Sequence, residues 1–150
     1  MTGIALPLSE VPLDLLDAVP GRVYDRSGQR EVQFHWWHTP AVLPVQWCGR
    51  LRLFRWGSKH RRGRLPYGGW VTEDQVRQLA GGRPEPVMIP ANLGHCRGTW
   101  FVISAGVRGV VLPDVPGGPV VYVLVRPSTN YYRNMTEQEP LMPVLVDQVI

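Results

Sequence analysis

Seven basic side chains, Arg50, Arg52, Arg55, Lys59, Arg61, Arg62 and Arg64, crowd into one short stretch, and no acidic residue lies between Glu31 and Glu73. The rest of the chain carries 9 basic and 12 acidic residues, so a cationic block sits on a mildly acidic body. Such a block suits docking to a polyanion. Only one of the 16 basic residues is a lysine. Arginine forks match phosphate oxygens and stack on bases. A GC-rich genome also raises arginine content, but it does not cluster the residues. Trp56 borders the block and Trp70 closes it. Rings beside cations are what a single strand needs, because each base can stack while its phosphate finds a charge. With His60, these residues form the candidate nucleic-acid-binding set. The competing reading is core tryptophans beside a solvated arginine face.

Other chemistry is thinner. His35 and His38 are three apart, His60 and His95 lie elsewhere, and Cys48 and Cys96 are the two cysteines. A zinc site needs about four convergent ligands. On a strand, positions 35 and 38 would face opposite sides. No metal site is expected. His95-Cys96 places a thiol beside a base, though sequence neighbours rarely form a productive pair. The chain has no dinucleotide fingerprint, no Walker loop and no nucleophile elbow. No cofactor is expected.

The elements that would position these residues are short. Residues 9–18 read as a helix capped by Ser9, with Leu13, Leu15, Leu16 and Val19 as its apolar face. Residues 32–37, 41–47 and 50–56 read as strands. In the third, Leu51, Leu53 and Arg55 share one face and Arg50, Arg52 and Phe54 the other. Cys48-Gly49 fits a hairpin turn between the last two. Residues 57–69 read as a glycine-punctuated basic loop. Residues 72–80 read as a helix capped by Thr72, favoured at its start by Glu73 and Asp74, and stopped by Gly81-Gly82. Short apolar runs follow at 87–89, 100–104, 108–112, 120–125 and 141–149, with proline and glycine turns between them.

Composition agrees. Hydrophobic residues make up 44% and charged residues 19% of 150, enough for one packed domain over residues 1–150 and too apolar for disorder. Glycine (16) and proline (15) favour turns over long helices. The expected fold is α+β, mostly β: a curved antiparallel sheet or barrel with two short helices. No run reaches the ~20 apolar residues of a membrane helix. The start of the chain has no basic stretch followed by an apolar one, so no secretory signal is expected. Two cysteines make no disulfide framework, so the expected compartment is the reducing cytoplasm.

Six motifs occur in a telling order. Met1-Thr2-Gly3 opens the chain before a short helix. His35-Trp36-Trp37-His38-Thr39-Pro40 leads to Pro44-Val45. Arg55-Trp56-Gly57 ends a strand before a loop. Ile89-Pro90-Ala91-Asn92 follows, then Pro127-Ser128-Thr129-Asn130 and Met142-Pro143-Val144-Leu145-Val146. This order, over nearly the whole chain, resembles the SRAP domain family, the SOS-response-associated putative peptidases. Its members include proteins that shield abasic sites in single-stranded DNA. The resemblance implies a single barrel-like domain and a DNA-damage setting in a bacterial or phage-infected cell. Bound to DNA, such a protein would be nucleoid-associated.

The departures bear on the chemistry. The family's reactive cysteine at position 2 is Thr2 here. Its motif asparagine falls at Trp37, its Asn-Ala-Arg segment near residues 67–70, its glutamate near Cys96 and its histidine near Glu139. The resemblance therefore implies non-covalent binding of single-stranded or abasic-site DNA. One alternative is a diverged enzyme of Schiff-base or autoproteolytic type. There Thr2 would supply an amine or hydroxyl, Glu139 would act as acid and base, and Asn130 and Asn92 would donate hydrogen bonds. A second alternative is a small-molecule or protein-binding module that reuses the old pocket.

Overall fold

Three two-residue turns set much of the architecture. Ser27-Gly28, Cys48-Gly49 and Arg97-Gly98 each have positive φ at both positions. That geometry matches the twist of paired strands and closes tight hairpins. The strands they join are β2 (Val23–Arg26) with β3 (Gln29–His35), β4 (Val42–Trp47) with β5 (Arg50–Trp56), and β8 (Leu93–Cys96) with β9 (Thr99–Val102). The computed structural model describes residues 1–79, 82–148 and 150.

The remaining strands are β1 (Gly3–Pro7), β6 (Trp70–Val71), β7 (Glu85–Pro90), β10 (Gly106–Leu112), β11 (Val120–Pro127) and β12 (Leu141–Pro143). One sheet runs β2-β3-β1-β8-β9 and is antiparallel throughout. In the other, β10-β7-β4-β5-β11 closes on itself through β10–β11 pairing, giving a five-stranded barrel. The β5–β11 seam is parallel, with Val120 opposite Arg55 and Val121 opposite Trp56. β6 and β12 add to β11. The mostly-β, barrel-like expectation is met. Closure removes strand edges that would otherwise pair with other chains.

One core joins the sheets. Ile4, Leu6, Val32 and Phe34 on the open sheet meet Leu43, Val45, Phe54, Trp56, Val111 and Val121 on the barrel. A smaller cluster, Val71, Val110, Leu112, Val120 and Tyr122, lies outside it.

Helices account for most differences from the sequence reading. The expected helix over 9–18 is a 3-10 turn at Leu8–Glu10 followed by α1 (Leu13–Ala18). Pro12 cannot donate a helical hydrogen bond and holds Val11 extended, so Ser9 caps nothing. The helix expected at 72–80 is α2 (Glu73–Gln78), with a capping box between Thr72 and Gln75. Ala80 and Gly81 fall outside the described residues. A third helix, α3 (Asn130–Met135), is additional to the two expected. Thr129 caps it, its side chain accepting from the Tyr132 amide at 3.2 Å. Of the run expected over 141–149, the strand is Leu141–Pro143, and Val149 falls outside the described residues. Among the described residues no helix is long and apolar enough to cross a membrane.

Candidate functional site

The basic loop is held at its neck. Ser58 and Gly68 exchange backbone hydrogen bonds at 2.9 and 2.7 Å. Gly57 has φ 59°, and a side chain there would run into the Gly68 carbonyl, so only glycine fits. Beyond the neck, Lys59, His60, Arg61, Arg62 and Arg64 are all exposed. Lys59 Nζ donates to the carbonyls of Trp36 (2.7 Å) and His38 (3.4 Å) and lies 4.8 Å from the Trp36 ring centre. This ties the loop to the end of β3. The Arg61 guanidinium lies over Tyr67 at 4.7 Å.

The rings that accompany these cations are not the expected ones. Trp56 is 2% exposed and its indole N–H donates to the Gly69 carbonyl at 3.0 Å. It sits inward on β5, in line with Phe54, and packs edge-on against Trp36 and Trp70. A sealed indole cannot stack on a base. Trp70 is half-buried, and its N–H donates to the Met1 carbonyl at 2.9 Å. The open rings near the loop are Trp37, 65% exposed, and Tyr67, 52% exposed. β3 ends at His35, one or two residues earlier than its aromatic run suggests, and the turn that follows throws Trp37 outward.

The seven cations also divide. Arg50 opens β5 and Trp56 ends it. Six steps of about 3.3 Å put Arg50 ~20 Å along the strand from the loop. Arg52 is half-buried, and its Nε has no hydrogen-bond partner among the described residues. Arg55 points to the other face of β5 and donates to the carbonyls of Gly118 (2.8 Å) and Pro116 (3.3 Å), bracing that turn. The cationic surface at the loop is therefore Lys59, Arg61, Arg62 and Arg64, with His60 beside them and without Arg50, Arg52 or Arg55.

A separate pocket of about 360 Å³ opens at the start of the chain, against Trp70. Its walls are Met1, Thr2, Trp70, Cys96, Arg97, Val125, Glu139 and Leu141. Thr2 and Glu139 are thus brought together. Asn92 lines a separate hollow with Glu31 and Arg26, and Asn130 is exposed at the start of α3 and lines no wall here. Arg97 Nε donates to Glu139 Oε2 at 2.9 Å, leaving Oε1 free of it. Behind the wall, burial beside the Cys96 thiol and Glu139 pushes the Tyr132 phenol well above its usual range. Its hydroxyl has no hydrogen-bond partner among the described residues. The Thr2 nitrogen is an amide that donates to the His95 carbonyl at 2.7 Å.

The opposite face of β1 carries the histidines. Gly3 lies between His35 and His95 in register, and the His35 ring rests directly against it. Trp37 stacks on His35 at 5.0 Å, while His38 and His95 meet it edge-on at 5.3 and 5.5 Å. His35 Nε2 is 2.8 Å from Gln33 Oε1, Gln33 donates to Glu31, and Arg26 grips Glu31 with two hydrogen bonds. The imidazole in that chain therefore carries its proton on Nε2. Burial lowers the pKa of all three histidines, His38 to about 4, with neighbouring cations and imidazoles adding to the effect. His38 turns back toward His35, whose amide donates to its Nδ1 at 3.0 Å. The opposite-face expectation fails because residue 38 is past the strand. Among the described residues no three His, Cys, Asp or Glu side chains are arranged to hold a metal ion.

Compared with known protein families, curated proteins and solved structures, the chain finds no match in any of the three.

Proposed function

We propose that this protein binds single-stranded nucleic acid without a covalent bond. The observation that carries the reading is a pinned loop presenting exposed cations beside two open rings. Lys59, Arg61, Arg62 and Arg64 would hold phosphates, with His60 at the rim, and Trp37 and Tyr67 would take bases. A positive groove supplies sequence-independent affinity, and each stacked base adds about 1–3 kcal/mol. The motif order shared with the SRAP family supports the same reading and points to DNA in a damage response.

The enzymatic alternative requires removal of Met1, because a Schiff base needs a free amine and the Thr2 nitrogen is an amide while Met1 is in place.

The test is a salt titration with a short labelled DNA single strand. Neutralising three or four phosphates predicts a slope of log affinity against log salt of roughly −2 to −3. A flat dependence, or no binding at low salt, would refute the proposal.

A further inference from the structure

A groove of about 520 Å³ begins where the basic loop ends. Arg64 and Leu65 of the loop line it, and so do Leu79, Leu112 and the turn that carries Asp114, Val115 and Pro116. Both the loop end and the turn are held in place. Leu65 packs against the outer apolar cluster, and the Tyr122 hydroxyl donates to the neighbouring Pro66 carbonyl at 2.8 Å. Arg55 braces the turn from β5 through the Pro116 and Gly118 carbonyls. The groove has a second cation, Arg83, which lies outside the 50–64 block; it and Arg64 are both exposed. Among the described residues, Asp114 is the one carboxylate that lines the groove, and it forms no ion pair with either arginine.

We infer that this groove carries the bound single strand onward from the loop, with Arg64 and Arg83 taking phosphates and the apolar lining taking the faces of the bases. The inference rests on the single-strand reading above and extends its path. Arg64 is at once the last cation of the loop and a wall of the groove, so a strand held there is already at the groove's edge. A nucleotide has the matching chemistry. Its phosphate is anionic and its base has apolar faces, and the groove sets two cations beside Leu65, Leu112 and Val115. Its size lies within the range of small-ligand sites. With no aromatic ring in its lining, the groove adds affinity through charge and apolar contact. Stacking stays with Trp37 and Tyr67. Arg83 thus joins the phosphate-binding set from beyond the cationic block.

The experiment measures the affinity of a four-nucleotide and an eight-nucleotide DNA single strand across a salt series, on wild type, Arg83→Asn and Arg30→Gln. Arg83 has φ 53°, a backbone that asparagine tolerates. Arg30→Gln removes the same charge from β3, on the other sheet, and so reports the effect of net charge alone. The readout is the advantage of the long strand over the short one in each protein. In wild type that advantage should be about tenfold. Arg83→Asn should shrink it by about fivefold and flatten the long-strand salt slope by about 0.7, leaving the short strand unchanged. Arg30→Gln should keep the wild-type advantage. An advantage that survives Arg83→Asn, or that falls equally in both variants, would overturn the inference alone. Equal binding of the two lengths by wild type would do the same. If neither strand binds wild type, the single-strand reading itself falls.

Discussion

Two aromatic clusters sit on opposite faces of the same strand end and do different work. Trp36, Trp56 and Trp70 pack mutually within 5.5 Å, and the N–H groups of Trp56 and Trp70 are both spent on backbone carbonyls. That cluster seals the barrel and anchors the loop. Trp37 instead stacks on His35, meets His38 at 4.4 Å, and remains largely exposed. The difference comes from side-chain alternation and from where β3 stops. A ring is available to a ligand when the strand has ended and the next residue turns outward. The residue type alone does not decide it.

Substitutions that separate the clusters should differ most in stability. Trp56→Ala should cost about 3–5 kcal/mol in denaturant unfolding, as for other large buried rings, because it empties the centre of the sealed cluster. An unchanged midpoint would mean that this ring is not core. The histidine face gives the next largest effect. Its folded-state pKa values lie below the unfolded value of about 6.5, so the neutral rings stabilise the fold above that pH. The contribution should be lost as pH falls from about 6.5 through about 4, where His38 titrates. The loss from His38 alone is on the order of 3 kcal/mol, readable as a falling midpoint in pH-dependent melts. A midpoint flat across that window would contradict the buried, neutral cluster.

Trp37→Ala should leave unfolding within about 1 kcal/mol of wild type and still weaken single-strand binding by about 1–3 kcal/mol. Losing stability without affinity would place this ring with the sealed cluster. The smallest expected effect is at Arg50, far from the loop: Arg50→Ala should change strand affinity by less than about twofold at constant salt. A loss as large as that of Arg62→Ala would restore the view that all seven cations form one surface.

Much of the frame was legible in the chain. The β4–β5 hairpin follows from Cys48-Gly49, and α2 from Thr72 and the acids behind it. The inward Phe54 and outward Arg55 follow from simple alternation. The third helix was masked because Thr129-Asn130 sits after a β-branched run, where a cap looks like a strand end. The site was half legible. Charge clustering marked the loop, and motif order placed Thr2 with Glu139. Alternation on β5 already put Trp56 on the side of Phe54, which is a sign of burial. The fate of Trp37 depends on a turn that no local signal announced. The division of the arginines depends on tertiary partners, such as the Gly118 carbonyl that holds Arg55.

The most direct measurement is ultraviolet crosslinking of an eight-nucleotide DNA single strand, with the attached peptides mapped by mass spectrometry. The account predicts adducts on peptides containing Trp37 and Tyr67, fading as salt rises. Adducts on the Cys48–Arg52 hairpin, or none at low salt, would contradict it.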